Sequence, residues 1–425
     1  MGQFQNFLIL ISFLTEAAVL AYVERKAWNS LYTPLNFLLL PYLVVLTTSI
    51  LISGKFDFIE FYYPSILIWS AGLLLFAIPS IAIAAVTQRN GTELQKKSIQ
   101  SVAIDNSGIP KLFVYIGLML VAMFAYRLYS TIGSSRFMIG SDEFAEEFAG
   151  FGFWGHLKRF SSVMLMLYIY YLNKRQRWLW LFIIALMVVS IINMVKGTMI
   201  IPCVVGVMMR LASGKMRITR KLVITILLSS VAVFYITFLL AIVVVNEMEV
   251  NDKVILFIFQ RFVHYFTSGT LGLSMDMQLG FPDQGEFSII MAPFINIFNQ
   301  MTGSNELLSP VNPCFHFTGI SLTNVRTIFG TLLIYSNYVQ FAIYVLCLSA
   351  FCYFLKIMAA EHSNVYTNTV YYYFCALLAM GWFEFYFFHL DIVEIPAMLI
   401  ILHLLDWTLI GKRFNAVTAL CMSKK

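Results

Sequence analysis

Four cations raise the first chemical question. Arg136, Lys196, Arg261 and Arg326 come from four separate stretches of the chain. A guanidinium is a planar fork of N–H donors that stays charged, which suits phosphate oxygens, and an ammonium is a compact point charge for the same partner. Lys196 occupies the turn of a tight hairpin, in NMVKGTM. Acids accompany these cations: Asp142, Glu143, Glu146 and Glu147 crowd one segment, and Asp252, Asp276, Asp283 and Glu286 populate another. Transfer of a group to a hydroxyl needs a base to take its proton, and a carboxylate or His264 would serve. His264 follows Arg261 by three residues and shares its face if the segment is helical. Each group also has a plainer reading. Lone Arg and Lys residues snorkel to headgroups or pair with acids. A run such as DEFAEE is more often a solvated helix face, and an interfacial histidine is more often structural.

The elements that must hold these residues are membrane helices. Of 425 residues, 60% are hydrophobic and 12% charged, whereas a soluble domain averages about 25% charged. So little polar surface does not cover a water-soluble globule. The apolar runs are continuous and long, without the period-two alternation of barrel strands, so the expected fold is all-α and polytopic. Eleven spans are expected near 6–23, 35–53, 65–87, 112–129, 160–173, 178–195, 198–214, 222–246, 329–355, 366–386 and 392–410. The chain reads as a single membrane domain over 1–425, with one substantial loop at 130–159 and a longer one at 247–328. The start, MGQFQNFLILISFL, lacks a basic n-region and a small-residue cleavage site, so it reads as a first span and not as a removed signal peptide.

Lys and Arg set the orientation. Alternate loops, from 24–34 through the tail after Gly411, hold 19 of the 28 basic residues. Basic residues prefer the cytoplasm, which puts the C-terminus inside and, with eleven spans, the N-terminus outside. Both substantial loops then face outward, and so do all four cations above. The longer loop interrupts the hydrophobic rhythm for roughly eighty residues, far beyond an ordinary connection. Its stretches 254–277 and 287–303 mix apolar with scattered polar residues and read as amphipathic or re-entrant helices at the interface.

Other signals are weaker. Glu16, Glu384 and Asp406 lie within or at the ends of apolar spans, where a transporter would keep its ion sites. Three such groups are few for a pump, so transport ranks second. Aromatic residues make up 16% of the chain, which suits sugar stacking and ordinary interfacial belts alike. The six cysteines have no CxxC or metal spacing, and no phosphate-binding glycine loop, zinc-protease or hydrolase motif is present. No metal and no cofactor is expected. The net charge of +6 sits in short loops, which fits membrane orientation and not nucleic acid. An acyltransferase would need a His-based motif that the sequence does not display.

Three short motifs give the chain a resemblance. Arg261 is followed after ten residues by Gly272, in RFVHYFTSGTLG. SLTNVRTIFGTLL leads into a span, with Asn324 and Arg326 inside it, and Lys196-Gly197-Thr198 forms a small basic turn. With the many spans and two outward loops, these features resemble the Wzy-type oligosaccharide repeat-unit (O-antigen) polymerases. The first loop departs from that pattern, since neither Arg127 nor Arg136 is followed by Gly at the same spacing. The resemblance implies a GT-C-like glycosyltransferase of the bacterial inner membrane, with periplasmic loops and no cofactor. It implies donor and acceptor linked to undecaprenyl pyrophosphate, membrane lipids around the protein and a chain-length regulator protein as partner. A hydroxyl of the acceptor attacks the anomeric carbon of the donor and lipid pyrophosphate leaves. Arg136, Lys196, Arg261, Arg326 and Asn324 are then expected to bind pyrophosphate, with His264, Asp283 or Glu286 as the acceptor-side base and Gly272 as a motif residue. An O-antigen ligase and a lipid-linked oligosaccharide flippase are the neighbouring expectations.

Overall fold

The computed structural model describes all residues except 1–2, 90–108, 138–140, 151, 193–195, 225–227, 229–230, 233, 236–250, 281–284, 305, 363 and 423–425. Among the described residues the order is α1 (Gln3–Trp28), α2 (Pro34–Ile52), α3 (Ile66–Arg89), α4 (Lys111–Ser134), α5 (Asp142–Ala149), α6 (Gly152–Tyr171), α7 (Leu179–Ile192) and α8 (Lys196–Ala212). It continues with α9 (Asp252–Leu279), α10 (Ala292–Thr302), a ribbon of β1 (His316–Phe317) and β2 (Leu322–Thr323), α11 (Ile328–Ile334), α12 (Tyr338–Glu361), α13 (Val365–Ala379) and α14 (Asp391–Met422). Among the described residues, five stretches are helical, long and apolar enough to cross a bilayer: Gln3–Trp28, Pro34–Ile52, Tyr63–Thr87, Lys111–Ser134 and Tyr338–Glu361. α7 and Met199–Ala212 are shorter apolar helices. The protein is an all-α membrane protein.

Two compact units divide the chain. The first comprises residues 1–95, 217–354 and 377–389, the second 96–216, 355–376 and 390–425. In the first unit, Trp69 of α3 is fully buried and stacks on Tyr42 of α2, with the edge of Phe329 from α11 against it. Its indole N–H donates to Thr327 Oγ1 at 3.0 Å, and Thr327 also caps the start of α11. Glu24, near the end of α1, is buried, and its carboxylate accepts from Ser80 Oγ at 2.6 Å and from the Tyr353 hydroxyl. One acid thus ties α1 to α3 and α12, as a buried charge must be tied. In the second unit, Tyr168 of α6 reaches over Gly117 to donate to Phe113 O at 2.7 Å. Arg159 of α6 meets Asp391 at 2.6 Å and Glu394 at 3.3 Å on the first turn of α14.

Several expected boundaries shift. The expected span at 160–173 is the end of α6, which begins at Gly152 and carries Lys158 and Arg159 inside the helix. Pairing with Asp391 and Glu394 makes Arg159 tolerable there. The expected span at 329–355 is broken. α11 ends at Ile334, and α12 starts anew after Asn337, whose Oδ1 accepts from Gln340 N at 2.9 Å. Helix α13 stops at Ala379 instead of running to 386, so Glu384 lies outside a helix. The backbone there serves another purpose: Gly381 O accepts the amide of Ile328 at 2.6 Å, at the start of α11. Much of the expected span 222–246 lies outside the described residues. DEFAEE becomes α5, capped by Ser141, with Phe144, Phe148 and Ala149 inward and Glu143, Glu146 and Glu147 exposed.

Candidate functional site

Helix α9 is the spine of the candidate site. Asn251 caps it by accepting from Val254 N at 3.0 Å, Asp252 complements the first turn, and Gly280 ends it with φ +90°. Its second half, TSGTLGLS, is buried and rich in small residues, which lets other backbones approach closely. A Cβ on Gly272 would stand 2.6 Å from Val325 O and 2.9 Å from Arg326 Nη1. A span of eleven residues is about three helical turns, so Arg261 and Gly272 share one stripe, with His264, Ser268 and Asp276 along it.

Segment 312–326 runs along that stripe and is held at two stations. At the C-terminal station, Arg326 is almost wholly buried and grips Asp276: Nε donates to Oδ2, and Nη2 donates to Oδ1 at 3.1 Å. Nη1 donates to Val325 O at 3.0 Å, so all three guanidinium nitrogens are engaged. His316 Nε2 lies 2.5 Å from the same Asp276 Oδ1. A phosphate would have to displace a buried carboxylate to reach Arg326. The expected role in pyrophosphate binding therefore gives way to a structural one, fixing the ribbon on α9.

At the N-terminal station the accounts stay open. Arg261 Nη1 donates to Ser321 Oγ, its guanidinium lies 5.0 Å from the centre of the Phe257 ring, and its buried Nε has no described partner. Buried donors of this kind call for an explanation, and a bound anion supplies one. His264 is buried, with Nδ1 2.9 Å from Thr318 Oγ1. That hydroxyl gives its one proton to Ser321 O at 3.0 Å, so His264 Nδ1 is the donor between them. His264 thereby holds the turn that holds Ser321, which in turn orients Arg261. A third strand of chain, the α2–α3 connection, closes around this station. Gln260 Nε2 donates to Asp57 Oδ2 at 3.0 Å, Ile59 N donates to Thr318 O at 3.2 Å, and Tyr62 N donates to Ser274 Oγ at 2.7 Å. Phe56 and Asp57 are both left-handed, with φ of +51° and +66°, at a cost of about 1–2 kcal/mol each. Such strain gathers at functional sites.

The remaining expected residues fall elsewhere. Asn324 Nδ2 donates to Asn312 O at 3.2 Å and closes the segment internally. Glu286 is exposed and accepts from Ser288 Oγ at 3.2 Å. Asp283 lies outside the described residues. Arg136 is exposed in the second unit, and Lys196 opens α8 there. Asp276, one of the acids marked out by the sequence, turns out to hold Arg326 and His316, whereas His316, Thr318, Ser321 and the 54–62 connection are participants not singled out in the sequence. The signal for the ribbon is present, as two short alternations flanking TGIS in FHFTGISLT. Among the described residues, no three His, Cys, Asp or Glu side chains converge as metal ligands.

A family profile matches residues 57–410, from within the α2–α3 connection into α14, and so includes Asp57, Arg261, His264, Asp276, His316, Thr318, Ser321 and Arg326. No curated protein and no solved structure matches the chain. The matching profile is that of a family of unknown function, DUF6337, and with most of the chain matched this protein belongs to it.

Proposed function

We propose that this DUF6337 protein is a membrane glycosyltransferase that extends oligosaccharides carried on lipid pyrophosphate. The observation that carries the reading is Arg261: a guanidinium oriented by Ser321, backed by an aromatic ring and with a buried Nε that has no partner among the described residues. It sits beside the connection between two helices long and apolar enough to cross a bilayer, and in this reading that is the level of the lipid phosphates. The motif resemblance to Wzy-type polymerases points to the same chemistry. In the proposed reaction an acceptor hydroxyl attacks the anomeric carbon, the bond from that carbon to the pyrophosphate oxygen breaks, and Arg261 stabilises the charge on the departing group. Arg136 and Lys196 are proposed as further phosphate ligands, and Asp283 and Glu286 as the carboxylates that take the acceptor's proton. Eleven spans, an outer N-terminus, a cytoplasmic C-terminus and residence in a bacterial inner membrane belong to this reading. So does the chain-length regulator as a partner.

Purified protein in nanodiscs, given defined lipid-linked repeat units, should yield a ladder of longer glycans. Transfer onto a lipid A core without extension would instead make it a ligase. Transport is the second reading, favoured by Glu16, whose Oε2 accepts the Ser70 hydroxyl while Oε1 is buried with no described partner. Movement of labelled lipid across liposomes at constant glycan length would support transport and overturn the transferase reading.

A further inference from the structure

The ribbon that seats Arg261 is inside out. Its residues alternate between two faces, and the face toward α9 is polar: His316 on Asp276, Thr318 on His264, and Thr323 buried. The opposite face carries Phe315, Phe317 and Leu322, each more than half exposed, with Phe317 and Leu322 paired directly across the strands. A half-buried ribbon in water places its apolar residues inward and its polar residues outward. Here the order is reversed.

Helix α10, in the same stretch between spans, repeats the inversion. Asn296 bonds the backbone of Leu308 in both directions, at 2.8 and 2.9 Å, and Asn299 donates to Glu306 O at 2.7 Å. Two of its polar side chains, Asn296 and Asn299, are therefore spent on the chain that follows it. Phe294, Phe298 and Met301, at i, i+4 and i+7, are each more than half exposed. Two elements of different shape thus each present a bare apolar face.

The height of the ribbon identifies its partner. The turn after β1 is bonded to residue Ile59, in the short connection between the crossing helices Pro34–Ile52 and Tyr63–Thr87. So short a connection stays at the bilayer surface, and the ribbon bonded to it is held at that level. Leu51, at the end of α2 beside this connection, is itself strongly exposed, as a lipid-facing residue of a span is.

We propose that Phe315, Phe317 and Leu322 of the ribbon and Phe294, Phe298 and Met301 of α10 are immersed in the hydrocarbon of the bilayer, as a wedge that holds Arg261 at the level of the lipid phosphates. An interfacial element immerses its apolar face by about 5–10 Å. The thickness of the ribbon then separates the hydrocarbon from Ser321 and Arg261. This inference does not depend on the transferase reading, and its test reads no activity.

The photoreactive residue p-benzoylphenylalanine is placed at Phe317, at Phe298 and, as a water-facing reference, at Glu143. The full-length protein is reconstituted in nanodiscs whose phospholipid carries radiolabelled acyl chains, and then irradiated. Lipid adducts at 317 and 298, several-fold above those at 143, are expected. Adducts no higher than at 143, or a crosslink joining two copies of the protein in place of lipid, would overturn the proposal. On the unmodified protein, a membrane-partitioned diazirine should label peptides covering 294–301 and 315–322. Labelling confined to the spans would also overturn it.

Discussion

The two ends of α9 hold two arginines in opposite states. Near the C-terminal end, Arg326 is buried, bidentate to Asp276 and saturated by backbone carbonyls. Near the N-terminal end, Arg261 has one hydroxyl partner, a ring beside it and a buried N–H without a partner among the described residues. Both stand out in the sequence for the same reason: each is a cation in a loop expected on the side of the membrane that cations avoid. The contrast shows that this rule finds charges in need of an explanation without saying which explanation applies. One arginine is accounted for inside the protein. The other is the one proposed to serve a ligand.

The contrast should break in a definite order. The largest effect is expected from Arg326→Ala, which leaves the buried Asp276 carboxylate without its guanidinium and with His316 as its remaining side-chain partner; losing one partner of a buried pair costs about 3–5 kcal/mol. It should lower the thermal midpoint and the yield of monodisperse protein whatever the substrate. Gly272→Ala comes next. Helix propensity alone would favour it by about 1 kcal/mol, but the new Cβ meets Val325 O, and a net loss of about 1–3 kcal/mol is expected in thermal unfolding. Ser321→Ala should leave the midpoint near that of the natural protein and slow glycan extension roughly tenfold, equivalent to about 1.4 kcal/mol of lost orientation of Arg261. Smallest is the Gln replacement of Glu146 or Glu147 on the solvated face of α5, which should shift stability by less than about 0.5 kcal/mol and leave extension unchanged.

Much of α9 was legible beforehand. The amphipathic stretch expected at 254–277 falls within it, and the spacing of Arg261, His264 and Gly272 marks its face, while the capping residues Asn251 and Gly280 set its true ends. The pairing of Arg326 with Asp276 was not, because it joins residues fifty positions apart and nothing local signals it. Hydropathy also hid two helix ends. The run through Ser336–Asn337 and the run after Ala379 remain apolar, yet the backbone leaves the helix at both. Composition reports what a segment can bury, and not whether its hydrogen bonds stay within one helix. At Gly381 the carbonyl is given to Ile328 instead. The ribbon was too short to stand out as strands, and its inverted polarity acquires meaning only once the polar face is seen on α9.

The central claim is that Arg261 serves a ligand and Arg326 serves the fold. The direct measurement takes Arg261→Ala in nanodiscs with defined lipid-linked repeat units and records the thermal midpoint and the rate of glycan extension on one preparation. A midpoint within a few degrees of the natural protein is expected, with extension reduced by about 10²–10³-fold, as for loss of a donor aimed at developing charge, and partly restored in Arg261→Lys. Extension by Arg261→Ala at the rate of the natural protein would contradict it.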